Sequence, residues 1–424
     1  MAKVIDEFRA RPSDASASDL DAKINEAFRR DAREQLSAMA SSVAESCKGQ
    51  GTLFHRDASI LTCLGRVGFR YPYAPKAGVV RLALCKLGSE EGEVWATPEA
   101  RRMVSEASAL LGSFQEASDF LKANVGLDAS VTVMKKVTQR AAEKTFKAWM
   151  NGTLVLNGLV RPSGKMPKGA RYVGPTMVVG IDGTGAPCTR ADTAGVKGKN
   201  GEEAGTREIK VFAIAVYTHV DKKGRPILRR GDVWYFASDG SSDEIESIVN
   251  MLAVRKGIGG FSRVQFIGDG ATWIHKIWEN AFRSCKAIRT LDFVHAAEYL
   301  HKIIESLCAS EKVAENYKTF REILRGKGGE TLMKSLRNTF GALMDALRGD
   351  ALKSLEYLRE RVWMMDYGTL RKQGFYIGSG IIESACKTLV AARCKLAGMH
   401  WRHKNAAGIA LLRATMRSNF KIAA

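Results

Sequence analysis

Met177-Val-Val-Gly-Ile-Asp-Gly-Thr-Gly185 is an apolar run that climbs to one carboxylate, Asp182, and then meets Gly183 and Gly185. The run has the composition of a buried strand. Two glycines so close together read as a turn, which puts Asp182 at the strand's end. A charge in that position is costly to desolvate unless it binds a metal ion, a proton or a cationic partner. Its meaning depends on whether other carboxylates are delivered beside it.

Two more aspartates follow apolar runs in the same way. Val264-Gln-Phe-Ile-Gly reads as a short buried strand ending in Asp269-Gly270, and Ala287-Ile-Arg-Thr-Leu as another ending in Asp292-Phe-Val-His295. Before them, Ile209–Tyr217 and Val233–Ala237 read as strands, and Asp243–Arg255 as a helix with Ile245, Ile248, Val249 and Leu252 on one face. Three strands, a helix and then strand–helix–strand is the order of a ribonuclease H-like α/β layer fold, and such sheets gather their sites at strand ends. Carboxylates brought together repel one another unless a cation neutralises them. Oxygen donors of this kind select Mg²⁺ or Mn²⁺. Each aspartate alone is ordinary turn chemistry. The device repeated at 182 and 269 marks that pair as functional, and on the residues alone Asp292 ranks beside Asp269.

The whole chain sets the partner class. Its 424 residues suit about three domains. A net charge of +20 and pI near 9.6 favour an anionic polymer, with nucleic acid leading because no apolar run is long enough to span a bilayer. The opening Met1-Ala-Lys-Val-Ile-Asp-Glu-Phe-Arg has no apolar signal core, so a cytoplasmic, nucleoid-associated protein is expected. Eight cysteines form no CxxC pair, which argues for free thiols rather than a zinc ribbon or disulfide framework.

Residues 1–50 carry a helical apolar period from Leu20 to Val43, expected either to pack on its own protein or to serve oligomerisation. Residues 51–112 mix β-like runs with the helix opened by Pro98. Residues 113–150 read as two helices around Gly126-Leu-Asp-Ala-Ser. The second bears Lys135, Lys136 and Arg140, in the manner of a DNA-binding helix-turn-helix. Residues 151–175 form a basic linker before a core that begins at 176–295. Within that core, Lys197, Lys199 and Arg207 make the loop after Asp182 cationic without matching a phosphate-binding P-loop.

Residues 296–374 show helical periods and no strand, an all-α segment of about three to five helices. In 375–424, Gly374-Phe-Tyr-Ile-Gly-Ser-Gly opens a helix with Glu383 in its first turn, where the helix dipole favours a carboxylate. Lys387 and Arg393 make this helix basic, and Trp401-Arg402 add an aromatic ring and a cation suited to a nucleic-acid backbone and an unpaired base.

Six motifs resemble one family in its order. They are Ile181-Asp-Gly-Thr-Gly, Thr193-Ala-Gly-Val-Lys-Gly-Lys, Thr206-Arg-Glu-Ile-Lys, Gly268-Asp-Gly-Ala-Thr-Trp-Ile, Leu291-Asp-Phe-Val-His-Ala-Ala-Glu-Tyr-Leu and Gly378-Ser-Gly-Ile-Ile-Glu-Ser-Ala-Cys-Lys-Thr. They are similar to DDE transposases of bacterial insertion sequences, ISKra type, with Mutator-like elements as distant relatives. The resemblance runs from about 175 to 405. The CxxC pair of many relatives is absent, with only Cys85 in that region.

The resemblance implies a catalytic, metal-binding triad of Asp182, Asp269 and Glu383, spaced by 87 and 114 residues, with Asp292 and His295 as an accessory motif. It implies a ribonuclease H-like core interrupted by an all-α insertion, acting as an oligomer on double-stranded transposon ends and target DNA. Two Mg²⁺ or Mn²⁺ ions would serve phosphoryl transfer. The alternatives are a metal-dependent nuclease of the same fold without strand transfer, or a non-catalytic DNA-binding descendant.

Overall fold

The computed structural model describes residues 17–47, 54–73, 94–157, 166–198, 201–228 and 231–423. Lys199, Cys85, the run Val79-Val-Arg-Leu-Ala-Leu and residues 158–165 of the basic linker lie outside these residues. The chain divides into two compact units, Met1–Leu154 with Ile422–Ala424, and Val155–Lys421.

In the first unit, helix α1 (Ala17–Glu45) lays Leu36, Ala40 and Ala44, four residues apart, on an antiparallel hairpin of β1 (Phe54–Thr62) and β2 (Gly65–Tyr73). Strand β2 alternates cleanly: Val67, Phe69 and Tyr71 are buried while Arg66 and Arg70 face out. Phe28 and Met39 of α1 remain exposed. Three helices follow, α2 (Pro98–Leu110), α3 (Phe114–Val125) and α4 (Val131–Asn151). Thr97, Ser113 and Ser130 cap them, each accepting from a backbone N–H three residues on, a contact worth about 1 kcal/mol. Gly126 ends α3 in the left-handed conformation at φ 70°. The expected helix pair is therefore present as part of a three-helix cluster around Val104, Leu121, Leu127, Met134 and Val137.

The second unit is built on one mixed five-stranded sheet. Its strands are β3 (Arg171–Pro187), β4 (Thr206–Val220), β5 (Val233–Ser238), β6 (Arg263–Gly268) and β7 (Ile288–Leu291), in the order β5-β4-β3-β6-β7. Strands β5, β4 and β3 are antiparallel neighbours, whereas β3, β6 and β7 run parallel. Helix α5 (Ser242–Arg255) begins in a capping box made by Ser241 and Glu244 and buries Ile245, Ile248, Val249 and Leu252. Helix α6 (Thr272–Ile277), prolonged by a π turn over Trp278–Phe282, joins β6 to β7.

After β7 the chain is helical: α7 (Phe293–Leu307), α8 (Ser310–Lys327), α9 (Gly329–Phe340), α10 (Gly349–Glu360) and α11 (Tyr367–Gln373). These five share a core that includes Leu300, Ile304, Leu324, Leu336 and Leu355. Helix α12 (Gly380–Ala385) runs on as a π-helical stretch, Cys386–Ala391, and α13 (His403–Arg417) follows. Among the described residues no helix is long and apolar enough to cross a membrane.

One expectation is corrected. Asp182 does not end its strand, because β3 continues to Pro187 with Gly183 opposite Lys210 and Gly185 opposite Glu208 on β4. Neither glycine has a left-handed φ. They serve close approach instead: a Cβ on Gly185 would lie 2.8 Å from the Thr206 hydroxyl, and the Glu208 side chain crosses Gly183. The pairing that does stop here is the parallel one, whose last rung is Gly180 with Ile267.

Gly268 closes β6 under the same constraint, since an added Cβ would sit 2.8 Å from the backbone oxygen of Ile181. A backbone oxygen in a sheet cannot swing aside as a side chain can. Gly268→Ala is expected to lower unfolding free energy by about 1–3 kcal/mol, read by denaturant titration at constant m-value.

Candidate active site

The parallel register brings the strand-borne aspartates level. Strand β3 pairs with β6 at an offset of 87 residues, from Thr176 with Arg263 to Gly180 with Ile267. Strand β6 pairs with β7 at an offset of 23, from Gln265 with Ile288 to Gly268 with Leu291. Carried one or two positions further, the same offsets set Asp182, Asp269 and Asp292 in one row across three neighbouring strands. Adjacent strands are about 4.8 Å apart, and equal register places side chains on the same face.

Asp182 shows the cost of this arrangement. Burial pushes its carboxyl up to about 6, and the neighbouring Asp269 charge adds to the rise. The Gly183 N–H, which donates to Oδ1 at 2.7 Å, pulls the other way, as do His295 and the Cys386 thiol. That thiol lies 3.8 Å from Oδ2. Burial, with the Asp182 carboxylate beside it, pushes the Cys386 thiol well above its usual range, so it stays an S–H donor.

Asp269 is held by its own turn and by a buried arginine. Its Oδ1 accepts from the Ala271 N–H at 2.9 Å. Arg289 on β7 is 3% exposed and donates to the backbone oxygens of Thr290 and Asp269. Burial lowers Arg289 to about 10 while the Asp269 carboxylate opposes the fall, so the guanidinium remains cationic at neutral pH.

Asp292 has a different task. Its carboxylate caps α7 by accepting from the N–H groups of Val294 and His295, and Oδ1 also accepts from the Ser379 N–H at 2.7 Å. Two further bonds pin the same connector. The buried Gln265 amide accepts from the Tyr376 N–H at 3.0 Å and donates to its carbonyl, and the Phe293 N–H donates to the Ile377 carbonyl at 2.9 Å. This connector leads into α12, which seats Ile381 and Ile382 against Gly180, where an added Cβ would meet them at 3.3 and 3.4 Å. Asp292 thus delivers the Glu383 helix to the sheet. His295, expected as its accessory partner, sits in the first turn of α7, half-exposed, 3.4 Å from Glu298.

Glu383 points to solvent and pairs with Lys387 at 2.6 Å, with 51% and 72% of the two side chains exposed. Among the described residues no group of three or more His, Cys, Asp or Glu is close enough to hold a metal ion. The structure therefore sets Asp182 and Asp269 on neighbouring strands and leaves Glu383 outside the pair, bonded to Lys387.

The candidate nucleic-acid residues divide into two sets. Lys135 and Lys136 are exposed on α4, while Arg140 pairs with Glu143 at 3.2 Å. Lys197 is exposed in the loop after β3. Arg207 donates to the Asp192 carbonyl at 2.9 Å, and the largely exposed Arg402 pairs with the Asp192 carboxylate at 2.8 Å. Arg393 and Trp401 are corrections, being 1% and 8% exposed. The Arg393 guanidinium stacks over the Trp401 ring at 4.9 Å, and the indole N–H donates to the Cys394 carbonyl at 3.1 Å. The Trp401 backbone also anchors the end of β3, donating to the Pro187 carbonyl and accepting from the Thr189 N–H. Their composition suited a DNA surface, but they form a buried structural pair.

Arg289, Gln265 and Cys386 escaped the sequence reading. Each lies within or beside a quoted motif, but its part is set by contacts across strands and helices that no local period reveals. The described cysteines Cys47, Cys63, Cys188, Cys285, Cys308, Cys386 and Cys394 are free, as expected. No protein-family model matches the chain, and no curated protein matches it either.

The Asp182 shift has a thermodynamic sign. The folded carboxyl binds its proton more tightly than an unfolded one near 3.8, so stability falls as pH rises from about 4 to about 6 and stays low above. Asp182→Asn is expected to remove that fall and to raise stability at pH 7 by about 1–3 kcal/mol. Denaturant unfolding across pH 4–7 reads both effects.

Proposed function

We propose that the chain is a DNA transposase of the DDE type, catalysing metal-dependent strand cleavage and strand transfer on a ribonuclease H-like core. The observation that carries this reading is the carboxylate pair Asp182 and Asp269, side by side on parallel strands, with the Asp269 charge adding to the rise at Asp182. The sheet order β5-β4-β3-β6-β7 with its antiparallel and parallel halves supports the core assignment. The helical run between β7 and α12 supports an all-α insertion. The motif resemblance supplies the reaction class.

The donor set fits a hard divalent cation. Two aspartate oxygen donors are already together, and their mutual repulsion is what such an ion relieves. Glu383 is the third donor. Recruiting it breaks one exposed ion pair with Lys387, worth about 0–1 kcal/mol. Bound there, Mg²⁺ or Mn²⁺, as two ions, would activate water or a DNA 3′-hydroxyl and neutralise charge on the leaving oxygen. The chain's own residues do the rest. Gly183 and Cys386 aim the Asp182 carboxylate, Arg289 and Ala271 hold Asp269, and Asp292 and Gln265 fix the connector that carries Glu383. His295 sits close enough to act on Asp182 electrostatically and is an accessory group for orienting a phosphate.

Lys135 and Lys136, exposed on α4, are proposed to contact the DNA backbone, as are Lys197 and Lys387 around the sheet unit. Oligomeric action on paired ends belongs to the same reading.

Asp182→Asn, Asp269→Asn and Glu383→Gln are each expected to abolish Mg²⁺-dependent cleavage and joining of DNA carrying the element's own ends, with DNA binding retained. A triple substitution that still cuts would overturn the mechanism. Cutting without joining in the wild type would select the nuclease alternative. Lys135→Ala with Lys136→Ala is expected to reduce the slope of log affinity against log salt by about 1–2. An unchanged slope removes α4 from the DNA surface.

A further inference from the structure

The turn that carries Asp269 is gripped from outside the sheet. Gly270 donates its backbone N–H to the Tyr357 hydroxyl at 2.8 Å. Its carbonyl accepts from Nε and Nη2 of Arg361, at 3.3 and 3.1 Å. Tyr357 lies in the last turn of α10 and Arg361 is its C-cap residue, in the middle of the helical segment and far from Gly270 in sequence. One residue, and so two consecutive peptides, is thus held at its donor and its acceptor from a different layer.

The grip is itself built. The Arg361 guanidinium lies over the Tyr357 ring at 4.1 Å, and that ring stacks on Tyr299 of α7 at 3.9 Å and 20°. The remaining guanidinium nitrogen of Arg361, Nη1, donates to the Tyr357 carbonyl at 3.1 Å and to Glu360 at 2.8 Å. All three guanidinium nitrogens are therefore engaged. An arginine meant for a DNA phosphate would keep an open edge of its fork, so Arg361 serves the protein backbone. Gly270 is fitted to the pair, because an added Cβ would collide with the Tyr357 hydroxyl and the Arg361 side chain.

We propose that Tyr357 and Arg361 are positioning residues that aim the Asp269 carboxylate, which makes the helical segment between β7 and α12 a working part of the site. The inference rests on the metal-binding reading above. Arg289 holds the Asp269 carbonyl from the β7 side, and the Ala271 N–H holds its carboxylate. Tyr357 holds the Gly270 N–H of that same Asp269–Gly270 peptide, and Arg361 holds the carbonyl of the peptide that follows. The peptide that follows Asp269 is then set from two layers, Arg289 at its carbonyl and Tyr357 at its N–H, which keeps the carboxylate from relaxing away from Asp182 when their charges repel. Helix α10 supplies the force that keeps two like charges together until a cation arrives.

The test uses Tyr357→Phe, which keeps the ring stack and removes only the hydroxyl, and Arg361→Gln. Mn²⁺ binding to the full chain without DNA is followed by water-proton relaxation, and DNA cleavage is followed as a function of Mn²⁺. Each substitution is expected to weaken Mn²⁺ binding by about 10–100-fold, the range for outer-shell contacts to a metal ligand. Cleavage should recover at high Mn²⁺, with melting temperature and DNA affinity unchanged. Folded variants that bind Mn²⁺ as tightly as the wild type would overturn the proposal, as would a wild type that binds none. Weakened Mn²⁺ binding in the variants beside a wild type that cuts no DNA would support the grip and overturn the transposase reading alone.

Discussion

Two like charges held on neighbouring strands are the constraint on which the second unit depends. Parallel pairing of β3 with β6 at a constant offset sets Asp182 beside Asp269, and burial raises the cost of the Asp182 charge. The Asp269 charge adds to the rise that burial produces in Asp182, a repulsion that a free backbone would release by moving apart. The surroundings prevent this. Arg289 ties the carbonyls of β6 and β7 together, and the close-approach glycines Gly180 and Gly268 let a helix and a strand press on the row. The stored repulsion is available only to a ligand carrying positive charge.

The same logic explains the placement of polar groups that are costly to bury. Gln265, Arg289 and Asp292 are among the few buried polar side chains in this unit, and all three bond across elements. Gln265 and Asp292 fasten the connector to α12, whereas Arg289 fastens the turn of Asp269. A buried polar group costs roughly 1–3 kcal/mol unless satisfied. Gln265 and Asp292 are bonded, Arg289 is bonded through both terminal nitrogens with its Nε left without a partner, and what they stabilise is the relative position of carboxylates from β3, β6 and α12.

Much of this was legible before any coordinates, and the remainder has physical reasons for being hidden. Strands, helices and their order follow from period and caps, and Ser113, Gly126, Ser130 and Ser241 mark their own helix ends. The adjacency of Asp182 and Asp269 was readable because an apolar run followed by Asp-Gly occurs twice. Gly183 and Gly185 misled, since a glycine needed for a turn and one needed for close approach look alike in sequence. Arg393 and Trp401 misled because a cation beside an aromatic ring is equally a DNA contact and a core stack. The role of Asp292 was ambiguous for a similar reason: its position in the row matched Asp269, while its carboxylate was committed to an N-cap and a connector.

The central claim is that Asp182 and Asp269 form a single cation-binding pair. Anomalous diffraction from a crystal of the protein equilibrated with Mn²⁺ tests it most directly. The account predicts an anomalous peak within ligand distance of both carboxylates, about 2.0–2.2 Å from oxygen, with the Glu383 side chain turned away from Lys387 towards it. A peak only elsewhere on the chain, or an empty pair with other carboxylates occupied, would contradict it.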